Sequence, residues 1–166
     1  VMRVTLIRHA EAGDDAPRDE ARALTVRGRE DARQLGHALA RRGVEFSLMV
    51  TSPLVRAVQT AEIVAAEIGY RERLAVTDLL VPEGTPARVL TFLKATAREL
   101  ADGTPSVALV AHEPILSGIA AALIGKARYP PLRKTEALRI RLGGDGPDGK
   151  GILRWRVDAR GHREQL

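Results

Sequence analysis

The apolar residues of this chain recur with two different periods, and segments of the two kinds alternate along the sequence. Short runs of apolar and β-branched residues are typical of buried strands. These runs are 2–8, 46–50, 74–80 and 107–111. Between them, apolar residues recur every three or four positions, which is typical of amphipathic helices. Because strands that alternate with helices build parallel sheets, we expect an α/β fold: a three-layer α/β/α sandwich around a mainly parallel sheet.

Polar residues, prolines and glycines mark the expected ends of the helices. Thr25 is placed to cap a helix that ends at Gly43, because its side-chain oxygen can accept a hydrogen bond from a free N–H of the first turn. Ser52 and Pro53 predict a second helix start with the serine hydroxyl as the cap, and Gly69 closes that helix. Two further helices are expected over 85–100 and 115–124.

The C-terminal part of the chain shows the period of two that is typical of half-buried strands. Apolar residues at 138–142 and 153–157 alternate with arginines, and a Gly/Asp-rich loop joins the two segments. These arginines are Arg139, Arg141, Arg154 and Arg156. We expect a C-terminal edge hairpin with one face in solvent, followed by a frayed tail at 159–166. The arginines either attract an acidic protein or are simply solvated.

Composition limits the classes of protein to which this chain can belong. A length of 166 residues fits a single domain, 1–166, and the absence of cysteine excludes disulfides and thiolate metal sites. No run of about 18 apolar residues occurs and no signal-peptide pattern precedes the first strand, so we expect a cytoplasmic protein without a membrane span. The net charge of +5 favours anionic partners. Nucleic acid is disfavoured, because the basic segments contain few aromatic side chains on which bases could stack.

Two histidines and two arginines stand where the predicted strands end. Arg8 and His9 follow the first strand, Arg56 follows the second, and His112 follows the run at 107–111. Ligands of parallel sheets bind beyond the carboxyl ends of the strands, so we expect these side chains to meet in one pocket. Guanidinium groups bind phosphate oxygens through paired hydrogen bonds, and a helix N-terminus near Arg56 also favours an anion. The pattern therefore predicts a phosphate-binding site.

Each of these residues also has a structural explanation. A single arginine is commonly an ion-pair partner, and a single histidine is commonly a hydrogen-bonded structural residue. A metal site is a further alternative, because His9 lies near Glu11 and His112 is next to Glu113. We expect no metal, since neither spacing matches a recurrent zinc or two-metal pattern.

Three motifs occur in a fixed order along the chain. They are Arg8-His9-Ala10-Glu11, Ser52-Pro53-Leu54-Val55-Arg56-Ala57-Val58-Gln59-Thr60-Ala61 and Ala111-His112-Glu113-Pro114. Together they resemble the histidine phosphatase (phosphoglycerate mutase-like) superfamily, and within it the small phosphohistidine phosphatases of the SixA type. An Arg-His dipeptide alone would be a weak signal, whereas the three motifs in this order are specific. The resemblance extends over nearly the whole length.

The resemblance implies a phosphatase in which His9 attacks phosphorus and becomes a transient phosphohistidine. Neutral imidazole is nucleophilic near pH 7, so this role is chemically sound. The resemblance also implies that Arg8, Arg56 and His112 bind the phosphoryl oxygens and stabilise the transition state, a role that His112 fills best as imidazolium. We expect no cofactor, because the pocket itself supplies the positive charge.

The sequence departs from the family pattern after the nucleophile, and it leaves the general acid open. Many relatives have glycine where this chain has Ala10, and we expect the extra methyl group to be tolerated. Mutase-like relatives use a loop glutamate as the acid, for which Glu83 is the nearest candidate and Asp78 the second. Glu83 is explained equally well as a solvated turn residue.

The segments between the motifs are short, so we expect a shallow and open pocket. Such a pocket suits a phosphorylated side chain, and the first hypothesis is dephosphorylation of phosphohistidine in proteins. The second is a broad-specificity phosphomonoesterase for small phosphate esters. The third, from a different class, is a non-catalytic domain that binds phosphate or nucleic acid. Arg22 would contact the substrate from the early loop unless it pairs with Asp15 or Asp19.

Overall fold

The structure is a computed structural model that describes residues 1–144 and 146–166. The strands are Met2–Arg8 (β1), Leu48–Thr51 (β2), Ala75–Val76 (β3), Ser106–Ala111 (β4), Ala137–Leu142 (β5), Ile152–Val157 (β6) and Arg163–Gln165 (β7). The α-helices are Val26–Arg41 (α1), Val55–Ile68 (α2), Pro86–Glu99 (α3) and Ile115–Ile124 (α4). Single 3-10 turns occur at Asp19–Ala21 and Asp78–Leu80. Strands and helices alternate up to α4, as the sequence pattern predicts.

The strands form one mixed sheet in the order β3-β2-β4-β1-β5-β6-β7. The first four strands in this order run parallel to one another, and β5, β6 and β7 continue the sheet antiparallel. All residues of β4 are buried, as its unbroken apolar run requires. The carboxyl ends of β1, β2 and β4 therefore share one edge of the sheet. The beginning of β5 lies at the same edge, because β5 runs opposite to β1.

Helices cover both faces of the sheet. Leu35 of α1 and Val64 of α2 belong to a buried cluster on one face, and Leu93 of α3 and Ile119 of α4 belong to a second cluster on the other. Successive side chains of a strand point to opposite faces, so the strands contribute to both clusters. The predicted α/β/α sandwich is confirmed.

The predicted C-terminal hairpin is present as β5 and β6, but the expectation of a frayed tail is wrong. Residues Arg163–Gln165 form β7, which pairs with β6 and is the edge strand of the sheet. A β-bulge shifts the register, so that Ile140 pairs with Leu153 while Arg139 pairs with Trp155. Leu153 and Trp155 consequently lie in clusters on opposite faces of the sheet. A simple alternation along β6 does not reveal the residue that the bulge inserts.

The two predicted helix caps have different outcomes. Thr25 caps α1 as predicted, because its Oγ1 accepts a hydrogen bond from the Gly28 N–H at 2.9 Å. The prediction that Ser52 caps α2 is wrong, since that helix begins only at Val55. The Ser52 hydroxyl instead contacts His112, which follows a different strand. A competing partner from a distant part of the chain explains the difference.

The most apolar helix, α4, is a core element. Ile115, Leu116 and Ile119 are buried against the sheet and α3. Its 10 residues are far fewer than the roughly 20 that a membrane-spanning helix needs. Over residues 1–144 and 146–166, no helix combines the length and the apolar character required to cross a bilayer.

Gly28 lies in the first turn of α1, against the backbone of Glu11. A Cβ atom at this position would lie 2.1 Å from the Glu11 carbonyl oxygen, a backbone atom that cannot move cheaply. We therefore expect Gly28→Ala to lower the free energy of unfolding by about 1–3 kcal/mol, although alanine favours the helix more than glycine does. Urea denaturation measures the change, and Arg29→Ala at the neighbouring exposed position is the control. Equal stability of Gly28→Ala and the native protein would contradict the close approach.

Candidate active site

The four residues at the strand ends meet in one cavity. Arg8 ends β1 and His9 follows it, His112 follows β4, and Arg56 lies in the first turn of α2. The two imidazole rings are 5.1 Å apart between centroids. The cavity has a volume of about 430 Å³ and is lined by Arg8, His9, Ala12, Asp19, Arg22, Arg56, Pro82, Glu83, His112, Glu113 and Lys134. The meeting of these side chains follows from the parallel order of β2, β4 and β1.

The orientation of His9 leaves one ring nitrogen free to react. Its Nδ1 lies 2.7 Å from the carbonyl oxygen of Ala10. A carbonyl oxygen only accepts, so Nδ1 carries the proton of the neutral ring and Nε2 carries the lone pair. The Ala10 N–H in turn donates to Thr60 Oγ1 at 3.0 Å, which anchors this segment to α2. The fold thus leaves Nε2 as the nitrogen of this buried imidazole that has a free lone pair.

The methyl group of Ala10 does not line the cavity. Ala10 is fully buried in a small apolar cluster with Leu24 and Ala32. Its side chain therefore packs against α1 and the segment that leads into this helix. This placement agrees with the expectation that alanine is tolerated here.

His112 is held by the hydroxyl of Ser52, which the sequence pattern predicts to be a helix cap. Its Nε2 lies 2.6 Å from Ser52 Oγ, and its buried Nδ1 has no hydrogen-bond partner among the described residues. Ser52 lies directly after β2, the neighbour of β4 in the sheet. The same strand-end rule that selects Arg56 could have selected Ser52. Its position before Pro53 instead suggested a helix cap.

Arg8 is oriented by the segment that leads into β5. Its Nη1 donates to the carbonyl oxygen of Leu132 at 2.7 Å, and the Thr135 N–H donates to the carbonyl oxygen of Arg8 at 3.1 Å. Lys134 of the same segment lines the cavity. The site predicted from the sequence did not include this lysine. The signal was present, since residues before an antiparallel strand lie at the edge where the parallel strands end.

Arg56 is buried and is paired with the early loop. Its Nη1 donates to the Asp19 carbonyl oxygen at 2.9 Å, and its Nη2 donates to Asp19 Oδ2 at 3.2 Å. Arg22 binds the other carboxylate oxygen of Asp19 at 3.0 Å and also contacts Asp14 at 3.3 Å. Arg22 therefore lines the cavity, but its guanidinium is engaged by Asp19, one of its two expected partners. The second expected partner, Asp15, forms no ion pair with it in the described residues.

The structure distinguishes the two candidate acids, because one of them lines the cavity and the other does not. Glu83 is exposed and lines the cavity, next to Pro82. Asp78 lies in a 3-10 turn and is not among the cavity residues. Glu83 is therefore the better placed of the two carboxylates to contact a leaving group.

The carboxylates next to the histidines serve structural purposes. Glu11 Oε1 accepts a hydrogen bond from the Thr25 hydroxyl at 2.9 Å. Glu113 accepts from the Ser117 hydroxyl and from the Leu132 N–H at 2.9 Å. Within 1–144 and 146–166, no group of three or more His, Asp or Glu residues is arranged to hold a metal ion.

Comparison with known proteins assigns the family. A model of the histidine phosphatase superfamily (branch 1) matches residues 4–86, which include Arg8, His9 and Arg56. The chain is 30% identical over 157 residues to the phosphohistidine phosphatase SixA of Escherichia coli (strain K12), covering 94% of this chain and 93% of that protein. The chain belongs to the histidine phosphatase superfamily. It is a phosphatase, and its sequence is similar to that of SixA over nearly the whole chain.

Two further comparisons describe how far the similarity extends along the chain. A structure of the protein histidine phosphatase SixA complexed with tungstate has a TM-score of 0.86 and 28% identity, and covers 95% of this chain and 97% of that one. The mitochondrial serine/threonine-protein phosphatase Pgam5 of Drosophila persimilis is 37% identical over 83 residues, 50% of this chain and 29% of that protein. The similarity to SixA covers nearly the full length of both chains, whereas the similarity to Pgam5 covers half of this chain.

Burial lowers the basicity of both histidines of the cavity. It lowers the pKa of His9 to about 4, an effect that the hydrogen bond to Ala10 opposes and the charges of Arg56 and Arg8 reinforce. Burial likewise lowers the pKa of His112 to about 3, with smaller contributions from His9 and Arg56. Both rings are therefore neutral near pH 7, which suits His9 as a nucleophile. The imidazolium form expected of His112 is not favoured here, and a phosphate dianion beside the ring would be needed to raise its pKa.

These lowered pKa values predict how the stability of the phosphatase depends on pH. In the unfolded chain the pKa of both histidines is about 6.5, so below that pH the unfolded state binds more protons than the native state. The free energy of unfolding should be highest above pH 6.5 and fall by about 1.4 kcal/mol per pH unit for each of the two histidines down to about pH 4. Urea denaturation of the native protein and of His9→Gln/His112→Gln measures the slope.

Carboxylates also titrate toward the lower end of this range, so the difference between the two proteins is the informative quantity. The double variant should show a flatter dependence between pH 6.5 and 5. His37→Gln, at an exposed position of α1, is the control and should keep the native slope. Parallel curves for the native protein and the double variant would show that the two rings are not neutral in the native state.

Proposed function

We propose that this phosphatase removes the phosphoryl group from phosphohistidine in proteins through a covalent intermediate on His9, and that residues 1–166 act as one domain in doing so. The observation that carries the proposal is the placement of two neutral imidazoles, 5.1 Å apart, in a cavity lined by Arg8 and Arg56. A reactive Nε2 and fixed guanidinium groups are the parts that phosphoryl transfer to a histidine needs.

In the first step, His9 Nε2 attacks phosphorus in line with the leaving group. The N–P bond to His9 forms as the bond to the leaving group breaks, and the bonding electrons depart with the leaving group. A substrate phosphohistidine whose other ring nitrogen is protonated leaves as neutral imidazole. This leaving group needs no proton from the enzyme, so the reaction does not depend on Glu83.

In the second step, water attacks the phosphorus of the His9 adduct. The N–P bond breaks, its electrons return to Nε2, and the proton of the water passes to phosphate or solvent. Arg8 and Arg56 stabilise the charge on the phosphoryl oxygens in both steps, because guanidinium N–H groups are directed donors that stay charged. His112 contributes a further hydrogen bond from its ring. Its own orientation comes from Ser52.

The rim of the cavity supports a protein substrate. Asp19, Glu83 and Lys134 line the cavity and are exposed to solvent, so a phosphorylated side chain on another protein can enter directly. The likeness to SixA, whose name describes a phosphohistidine phosphatase, supports the same substrate class. Arg22 adds a cation beside Asp19 at this rim.

A second candidate substrate is a small phosphate ester. The cavity volume of about 430 Å³ lies in the range of small-molecule sites, roughly 300–1,000 Å³. An alkoxide leaving group is a poor one and needs a proton, which Glu83 in the cavity wall is placed to supply. The two candidates therefore differ in their dependence on Glu83.

Kinetics with two substrates distinguish these candidates. For a phosphohistidine protein we expect kcat/KM about 100-fold or more above that for an alkyl phosphate. Glu83→Gln should lower turnover of the alkyl phosphate by roughly 10²-fold and leave that of the phosphohistidine protein within about threefold. Glu72→Gln, an exposed glutamate outside the cavity, is the matched control. A kcat/KM for the alkyl phosphate equal to or above that for the protein would favour the small-molecule enzyme.

A further inference from the structure

A second concave surface rich in arginine lies at the opposite end of β1. It has a volume of about 430 Å³ and is lined by Arg3, Arg139, Arg141, Arg154, Trp155 and Gln165, and we call it the arginine groove. Arg3 lies five positions before Arg8 on β1, which places these two residues roughly 16 Å apart at about 3.3 Å per residue, and the groove and the cavity share no lining residue. The groove is thus distinct from the cavity that contains His9.

The fold brings like charges together in this groove. Arg3 of β1 and Arg141 of β5 are directly opposite each other in an antiparallel pair. Side chains at such positions have Cβ atoms about 4.5–5.5 Å apart, and like charges there are destabilising. No ion pair joins Arg3, Arg139, Arg141 or Arg154 to a carboxylate within 1–144 and 146–166. The repulsion therefore lacks a counter-charge among the described residues.

Arg139 is held rigidly at the base of the groove, where simple alternation had suggested an exposed side chain. Its Nε donates to Thr5 Oγ1 at 3.0 Å, and its Nη2 donates to Ser106 Oγ at 3.2 Å. The guanidinium carbon lies 5.0 Å from the centre of the Trp155 ring, so the cation also rests on an aromatic face. Burial, and secondarily the charge of Arg3, lowers the pKa of Arg139 to about 10. A fixed and partly desolvated guanidinium still has N–H groups left for a ligand.

We propose that the arginine groove is a binding site for a small ligand that carries two or more adjacent phosphoryl groups. The charge balance supports this class of ligand. A phosphate monoester carries about −1.5 to −2 charges near pH 7, so at least two phosphoryl groups are needed to match the four guanidinium groups of the groove. The proposal is independent of the substrate of the active site.

The shape of the groove favours a small ligand over an acidic protein segment. Its volume falls within the range of small-molecule sites, roughly 300–1,000 Å³. The guanidinium of Arg139 lies against the buried Trp155 ring, so a compact anion must enter the groove to bind it. The planar guanidinium fork binds phosphate oxygens through two parallel hydrogen bonds. A free oligophosphate and the phosphate chain of a nucleotide share this chemistry.

Trp155 supplies a local signal for the test, because it is the only tryptophan of the chain. Tripolyphosphate, which does not absorb near-ultraviolet light, is titrated into the His9→Ala protein so that no probe is hydrolysed. We expect a saturable change in Trp155 fluorescence in about 0.15 M salt, where exposed charges are screened within about 8 Å. Calorimetry with ATP under the same conditions tells whether a nucleotide or the free oligophosphate binds more tightly, and either result supports the site.

Matched double variants assign the signal to the groove. Arg3→Ser/Arg141→Ser should weaken tripolyphosphate binding by about 10-fold or more, because each charged donor pair contributes strongly to binding. Arg71→Ser/Arg128→Ser removes two exposed arginines outside the groove and should change the affinity by less than about twofold. In the presence of His9, the groove variant should retain the native turnover of p-nitrophenyl phosphate, since neither residue lines the active site.

Three results would overturn the proposal. The first is no saturable fluorescence change with tripolyphosphate. The second is equal weakening by the two double variants, which would mean that net charge alone attracts the anion. The third is tighter binding of a hexaglutamate peptide than of tripolyphosphate, which would assign the groove to an acidic protein partner. Thermal unfolding without the anion checks the folding of Arg3→Ser/Arg141→Ser, which we expect to be as stable as the native protein because like-charge repulsion is relieved.

Discussion

His9→Ala should reduce turnover of every phosphorylated substrate by at least about 10⁴-fold, because the covalent route disappears with the nucleophile. The buried ring makes a hydrogen bond through Nδ1 to Ala10, so Nε2 is the nitrogen left to form the phosphoryl bond in the proposed reaction. Rapid-quench labelling of the native protein with a phosphorylated donor should yield an adduct that is labile in acid and stable in base. The variant should yield none.

The design of this experiment separates chemistry from folding. His9 lines the cavity, so circular dichroism and thermal unfolding of His9→Ala should resemble those of the native protein. His37→Ala, at an exposed position of α1, is the matched control and should keep both turnover and labelling. A labelled adduct in His9→Ala, or turnover within about tenfold of the native rate, would mean that another group is the nucleophile.

Arg56→Lys should lower kcat by about 10²- to 10³-fold even though the positive charge is retained. The guanidinium of Arg56 is buried, and its two Nη atoms are oriented by Asp19. Lysine offers a single ammonium group that cannot reproduce this fork. Because the phosphoryl charge is most spread in the transition state, the loss should appear in kcat and in kcat/KM alike, with little change in KM.

Two further variants accompany Arg56→Lys, and the first of them is its control. Arg71→Lys changes an exposed arginine outside the cavity and should leave kcat unchanged. Asp19→Asn tests whether the carboxylate orients Arg56 or competes for it. Burial raises the pKa of Asp19, but the Arg56 guanidinium and the Arg22 hydrogen bond together outweigh burial and hold that pKa below its usual range. A kcat for Arg56→Lys within about threefold of the native value would contradict a fork that binds the transition state.

Much of the candidate site could be predicted because it depends on rules that act locally. Each apolar run ends where its strand ends, and parallel strands place their carboxyl ends at one edge. Arg8 ends its strand, and His9 and His112 directly follow theirs, so the alternation of strands and helices was enough to bring them together. Arg56 followed from the same rule with a helix start added.

The contacts of Ser52, Lys134 and Asp19 in the site depend on the order of the strands and on the path of the loops. Ser52 stands at the position of a helix cap, but its hydroxyl lies 2.6 Å from the ring of His112, which follows the adjacent strand β4. Lys134 precedes an antiparallel strand, so its place at the site depends on the order of the sheet. The pairing of Asp19 with Arg56 joins a loop to a helix 37 positions later. Such contacts depend on the path of loops, for which hydrophobic periodicity carries no information.

By itself, the sequence determined the α/β sandwich and the quartet of Arg8, His9, Arg56 and His112, because strand and helix periods and strand ends are local properties. Only the tertiary structure decided the protonated nitrogen of His9 and the lowered basicity of the two histidines, since hydrogen-bond partners and burial arise from distant segments. The bulge in β6 and the arginine groove also depend on strand pairing. The register between strands decides which charges face each other, and the sequence of a single strand does not specify that register.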